Sequence, residues 1–124
     1  MNVKHSLVSI IDDDESVRES LPDLVRAFGH GVETFASAEE FLASKDLGAS
    51  DCLILDIGMP GMTGPELQLE LGQRGIDIPI VFITALKDDS MRLQLISQGA
   101  VDCLFKPFSA AAIQGALDTA LNAP

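Results

Sequence analysis

The sequence predicts an α/β domain in which five parallel strands form one doubly wound sheet with five helices packed on its faces. Three observations predict it. Short apolar runs alternate with helix-period segments five times along the chain. The central runs are apolar on successive residues, so both of their faces must be covered, the pattern of a parallel sheet between helices. The length, 124 residues, is that of a single domain of about 100–150 residues. Right-handed crossovers then follow for each strand-helix-strand unit.

Each element has its own signal. The first strand is Leu7-Val8-Ser9-Ile10-Ile11. Val17, Leu21, Leu24, Val25 and Phe28 then share one helix face, and Gly29 is the expected stop. Pro22 lies inside that helix and removes a hydrogen bond to the residue-18 carbonyl, so it should kink or shorten it. Val32-Glu33-Thr34-Phe35 alternates like an edge strand. Ser37 caps a short helix to about Ser44 and has Glu40 three residues on, a capping-box spacing. Cys52-Leu53-Ile54-Leu55 is the third strand. Pro65 sits in the first turn of a helix that runs to about Arg74, with Gly75 after it. Ile80-Val81-Phe82-Ile83 is the fourth strand. Asp88 or Asp89 caps the next helix, which ends before Gly99. Val101-Asp102-Cys103-Leu104-Phe105 is the fifth strand. Ser109 caps the last helix, whose buried face is Ile113, Leu117 and Leu121.

Composition narrows the function. Eight Lys and Arg against nineteen Asp and Glu give a formal net charge of −11. Such a chain repels phosphate backbones, so direct nucleic-acid binding is not expected. No Trp or Tyr is present to stack bases. No apolar run approaches the ~20 residues of a membrane span. The first residues, Met1 to Ser6, lack the apolar stretch of a secretory signal, so the expected compartment is the cytoplasm. Cys52 and Cys103 lie inside apolar runs, away from any CxxC spacing, and read as buried inert thiols.

The polar residues carry the chemistry. Ile11 is followed by Asp12 and Asp13, Leu55 by Asp56, Ile83 by Thr84 and Phe105 by Lys106. In an open α/β sheet, ligands bind outside the carboxyl ends of the strands. Three clustered carboxylates repel one another, and an all-oxygen set suits Mg²⁺, which neutralises them. A cation, an ammonium and a hydroxyl together can hold the oxygens of a transferring phosphoryl group. One carboxylate can itself be the nucleophile, giving an aspartyl phosphate. His5 and His30 fall outside this crevice. Each residue alone also fits an ordinary role: a solvated helix N-terminus for Asp12 to Glu15, a turn for Asp56, a helix entry for Thr84, a surface lysine for Lys106. Their joint arrival at four strand ends is what those separate roles leave unexplained.

With these residues in view, the chain resembles the receiver domain of two-component response regulators over essentially its whole length. The resemblance rests on Ile-Ile-Asp-Asp-Asp-Glu at 10–15, on Asp56-Ile57-Gly58-Met59-Pro60-Gly61-Met62-Thr63-Gly64, on Thr84-Ala85 and on Lys106-Pro107-Phe108. Val-Arg-Glu-Ser-Leu at 17–21 and Gly-Ala-Val-Asp-Cys at 99–103 look closest to the nitrogen-fixation and LuxR-type transcriptional branch. The resemblance implies a flavodoxin-like sheet of order 2-1-3-4-5, which puts the two cysteine strands two positions apart, too far for a disulfide. It implies that Asp56 accepts a phosphoryl group from a sensor histidine kinase. Asp13, Asp56 and the Gly58 carbonyl would bind Mg²⁺, with Asp12 acting mainly through a water. Thr84, Lys106 and the N–H groups of Ile57 and Ala85 would hold phosphoryl oxygens, with the Lys106-Pro107 bond cis.

Output would pass to a partner protein or downstream domain through the fourth helix, fifth strand and fifth helix. A phosphorylation-dependent homodimer is one form of that partnership. Leu93 lies about 200° from Met91 on the helix wheel, so both cannot be buried on one core, and Leu93 is the candidate exposed contact. Three departures matter. Cys103 stands where receivers usually carry Tyr or Phe, while Phe105 is two residues off in register. Gly58 and Leu86 cannot hold a hydrolytic water with a side chain. The chain reaches Pro124 directly after the fifth helix, and a stand-alone receiver and a piece of a longer regulator both stay open. The alternatives are a Mg²⁺-dependent aspartyl-phosphate phosphatase, whose second Asp would fall at Gly58; a flavodoxin-like binding module, whose phosphate Asp12 to Glu15 would repel; and a receiver-like scaffold that is not phosphorylated.

Overall fold

The computed structural model describes residues 6–45 and 47–122; His5 and the rest of the first five residues lie outside them. Strands and helices alternate: β1 (Leu7–Ile11), α1 (Glu15–Ala27), β2 (Gly31–Phe35), α2 (Ala38–Leu42), β3 (Cys52–Asp56), α3 (Gly64–Gln73), β4 (Ile80–Thr84), α4 (Asp89–Ser97), β5 (Asp102–Phe105) and α5 (Ala110–Leu121). All strands pair in parallel, in the order β2-β1-β3-β4-β5. This is the doubly wound sheet that the alternation of runs predicts.

Period-two alternation sends successive strand residues to opposite faces. Leu53 and Leu55 join Ile11, Phe82 and Cys103 under Phe41 of α2, Leu67 and Leu71 of α3 and Leu95 of α4. Ile54 joins Val8, Ile10, Val81 and Ile83 under Leu21 and Val25 of α1 and Ile113 and Leu117 of α5. Every residue of β3 and β4 is buried, which is why these strands read as unbroken apolar runs. Full burial of each such Leu or Ile contributes about 1.5–3 kcal/mol.

Helix ends follow the caps, with one exchange. Asp14, Ser37, Thr63, Asp88 and Ser109 each accept a backbone N–H at the start of a helix. Gly29 and Gly99 take positive φ, +95° and +106°, just past α1 and α4. Ser37 Oγ accepts from Glu40 N–H, but the return bond of a capping box is not formed among the described residues. The complete box lies instead at Thr63 and Glu66. α2 closes at Leu42, short of the expected Ser44. α1 runs unbroken through Pro22, whose ring is buried, so it does not shorten there. Cys52 and Cys103 are buried and free, on strands separated by β4. Burial pushes the Cys52 thiol up to about 12, which leaves it unreactive at neutral pH.

Candidate functional site

The carboxyl ends of β1, β3, β4 and β5 open into a crevice of about 560 Å³, lined by Asp12, Asp13, Asp14, Asp56, Ile57, Gly58, Thr84, Ala85, Leu86 and Lys106. The sequence-derived site residues therefore converge, apart from those expected elsewhere. They do so because parallel pairing sets all strand ends on one side, and β1 and β3 are direct neighbours at the sheet centre.

The acids differ in environment. Asp12 is fully buried. Its Oδ2 accepts from Lys106 Nζ at 2.9 Å and its Oδ1 from Asp14 N–H at 2.9 Å. Its carbonyl accepts from the Arg18 guanidinium at 2.9 Å. Asp13 is exposed. Asp56, only 8% exposed, has Lys106 Nζ at 3.6 Å from Oδ1. Burial and the Asp12 charge, with a further push from Asp13, lift its carboxyl to about 6 against the opposing pull of Lys106. Burial alone would lower the Lys106 ammonium; the Asp12 hydrogen bond and the Asp56 charge overcome it and hold Lys106 above its ordinary value. Asp14 faces solvent as the α1 cap, its carboxyl lowered by hydrogen bonds from Ser16.

The carboxylates of Asp12, Asp13 and Asp56 each offer an oxygen within 4.8 Å of the others. An all-oxygen set of this size suits a small hard divalent cation such as Mg²⁺, which needs one or two carboxylates and keeps several waters. Thr84 is 3% exposed. Its Oγ1 accepts from Leu86 N–H at 3.1 Å, which leaves the hydroxyl hydrogen free to donate into the crevice. Lys106-Pro107 is cis. One expectation needs correction: Ile57 N–H is not a free donor. The β3–β4 ladder continues past Asp56, and Ile57 N–H donates to the Ile83 carbonyl at 3.1 Å.

Away from the crevice, Leu93 is 64% exposed while Met91 packs on the core, as the helix wheel requires. Cys103 is buried and Phe105 packs against the same core cluster, so the two share a face of β5. Three residues escaped the sequence reading. Arg18, one turn into α1, steadies the Asp12 carbonyl. Arg92 clamps α4 to β5, donating to the Cys103 carbonyl at 3.1 Å and to Asp102 Oδ1 at 2.7 Å. Glu39 reaches from α2 to Met62 N–H. Only Arg18 had a signal, a base one turn beyond an acidic run.

This sheet order and set of strand-end acids define a flavodoxin-like receiver fold. The family model for the response regulator receiver domain matches residues 8–118, and the chain belongs to that family. Response regulator protein TodT of Pseudomonas putida is 43% identical over 122 residues, which is 98% of this chain and 54% of TodT. Transcriptional regulatory protein FixJ of Azorhizobium caulinodans is 38% identical over 115 residues, which is 93% of this chain and 54% of FixJ. The crystal structure of FixJ-N superposes with a TM-score of 0.86 at 36% identity, covering 98% of each chain. The chain thus spans about half the length of these curated relatives. Receiver domains are signalling modules rather than conventional enzymes, and the family binds Mg²⁺ through acidic residues. Response regulators work with histidine kinases and output domains. No helix among the described residues is long and apolar enough to cross a membrane.

Proposed function

We propose that this chain is a phospho-acceptor switch in which Asp56 takes a phosphoryl group from a partner histidine kinase. The observation that carries the reading is the meeting of three carboxylates within 4.8 Å with Lys106 and Thr84 at four strand ends. Asp56 is the acid that sits between two apolar neighbours at a central strand end, buried and next to the ammonium. In the transfer, an Asp56 oxygen bonds to phosphorus, the donor's N–P bond breaks, and the freed imidazole takes up a proton. Asp13 and Asp56, the Gly58 carbonyl and, through a water, Asp12 would hold Mg²⁺, which when bound neutralises the acids and the phosphoryl oxygens. Lys106 places a fixed positive charge on one phosphoryl oxygen, and the Thr84 hydroxyl and Ala85 N–H serve another.

Thr84 leads towards α4, so its movement onto the phosphoryl oxygen biases α4 and β5. With Cys103 in place of a ring, less volume has to move between states, and the unphosphorylated chain samples the active form more readily. Leu93 is the apolar contact offered on the α4/β5/α5 face, to an output partner or a second copy. A charge of −11 disfavours direct nucleic-acid contact by this chain. Gly58, where a phosphatase would need its acid, speaks against a hydrolytic enzyme. The test is treatment with acetyl phosphate and Mg²⁺ followed by intact-mass analysis. Wild type gains one phosphoryl mass and Asp56→Asn gains none; equal gain in both would overturn the assignment.

A further inference from the structure

The loop between β3 and α3 carries Gly58, and its arms are held unequally. At its base Gly64 N–H donates to the Ile57 carbonyl at 3.1 Å. In its middle the Met59 side chain is buried with Ala38 and Phe41 of α2. From Gly58 to Met62, the partner that the loop's N–H groups find among the described residues is Glu39, whose Oε2 accepts from Met62 at 3.0 Å. That partner comes from a different element, 23 residues earlier. Gly61 makes the bond fit. It takes φ +75°, and a Cβ there would stand 2.7 Å from Glu39 Oε2. A side chain at 61 would evict the carboxylate, so the bare glycine and the acid form one fitted contact.

We propose that Glu39 is a positioning residue for the cation site: from α2 it pins the Met62 end of the β3–α3 loop, the loop that presents the Gly58 carbonyl. The inference rests on the cation reading above. Mg²⁺ demands near-ideal octahedral geometry and dehydrates reluctantly, so slack in a carbonyl donor lowers affinity even when every carboxylate is intact. A merely solvated surface acid would act through its charge instead. Glu39→Gln separates the two, because it removes the charge and keeps an oxygen that can accept the Met62 N–H.

The experiment is calorimetric titration of the full chain with Mg²⁺ alone, paired with amide hydrogen exchange in metal-free buffer. Glu39→Ala should weaken Mg²⁺ binding about five-fold, the scale of one net hydrogen bond, and speed exchange at Met62. Glu39→Gln should stay close to wild type in both. Gly61→Ala, which displaces the carboxylate and also strains the backbone at φ +75°, should weaken Mg²⁺ binding at least as much as Glu39→Ala; binding equal to wild type would overturn the positioning role. If wild type takes up no Mg²⁺, the cation reading and this inference fall together. If wild type binds but Glu39→Ala binds equally well, or Glu39→Gln loses as much as Glu39→Ala, the positioning role alone is overturned.

Discussion

Lys106 Nζ lies 2.9 Å from Asp12 Oδ2 but 3.6 Å from Asp56 Oδ1, so the lysine is held mainly by an acid other than the proposed acceptor. Asp12 thereby holds the ammonium beside Asp56, where the proposed function would use it on a phosphoryl oxygen. Because Asp12 is fully buried, Lys106→Met strands its charge and should cost about 3 kcal/mol. Urea unfolding reads this. The double variant Lys106→Met with Asp12→Asn should recover part of the loss; a double variant no better than the single would show that the pair is not coupled.

A second prediction concerns pH. The Asp56 carboxyl sits at about 6 against an ordinary 3.8, so the folded chain binds that proton more tightly than the unfolded chain. Its contribution to stability is fully present below about 3.8 and is lost as the pH rises through about 6. Without Mg²⁺ at pH 7.5, Asp56→Asn should therefore be more stable than wild type, by on the order of 1–2 kcal/mol after allowing for solvent screening. The advantage should shrink towards pH 4.5. Thermal unfolding across that range measures it, and a pH-independent difference would contradict the cause given for the shift.

Neighbouring acids should behave differently. Asp14 is spent on capping α1, accepting from Ser16 N–H at 2.9 Å and Ser16 Oγ at 2.8 Å, whereas Asp13 offers an oxygen to the cluster. Asp13→Asn should weaken Mg²⁺ binding by about ten-fold or more. Asp14→Asn, which still caps, should matter much less. Equal losses would remove Asp13 from the ligand set.

Output is tested at Leu93. Being 64% exposed, it can become Glu with a stability change within about 0.5 kcal/mol. Beryllofluoride with Mg²⁺ should alter self-association or partner affinity in wild type, and Leu93→Glu should abolish that change. An unchanged response in the variant, by light scattering or partner titration, would take Leu93 off the output surface.

The fold was legible because burial on both faces leaves apolar runs that cannot be mistaken for surface strands, and because Gly29, Pro65 and Ser109 mark helix ends by local chemistry alone. Asp12, Asp56 and Lys106 were legible because each directly follows such a run, and Asp13 because it adjoins Asp12. What escaped depends on pairing between distant segments. Asp56 looks like the last strand residue, yet the ladder runs on to Ile57 and Ile83, and no local pattern announces that. Ser37-x-x-Glu40 and Thr63-x-x-Glu66 carry the same spacing, but only the second closes its box. Glu39 and Arg92 look like ordinary surface charges until α2 meets the β3–α3 loop and α4 meets β5.

Gly64 gives the site a stiff side and a soft side. A Cβ on this first residue of α3 would fall 2.5 Å from the Asp56 carbonyl oxygen and 3.1 Å from Ile57 Cα and Phe82 Cε1. Backbone therefore rests on backbone there, with the fully buried Phe82 ring closing the contact. On the β4 side the Thr84 hydroxyl has one hydrogen bond among the described residues, accepted from Leu86 N–H. A displacement at Asp56 meets a rigid stop in the direction of α3 and a compliant joint in the direction of α4. Under the proposed switch, movement at Asp56 would therefore pass towards α4, the helix that carries Leu93.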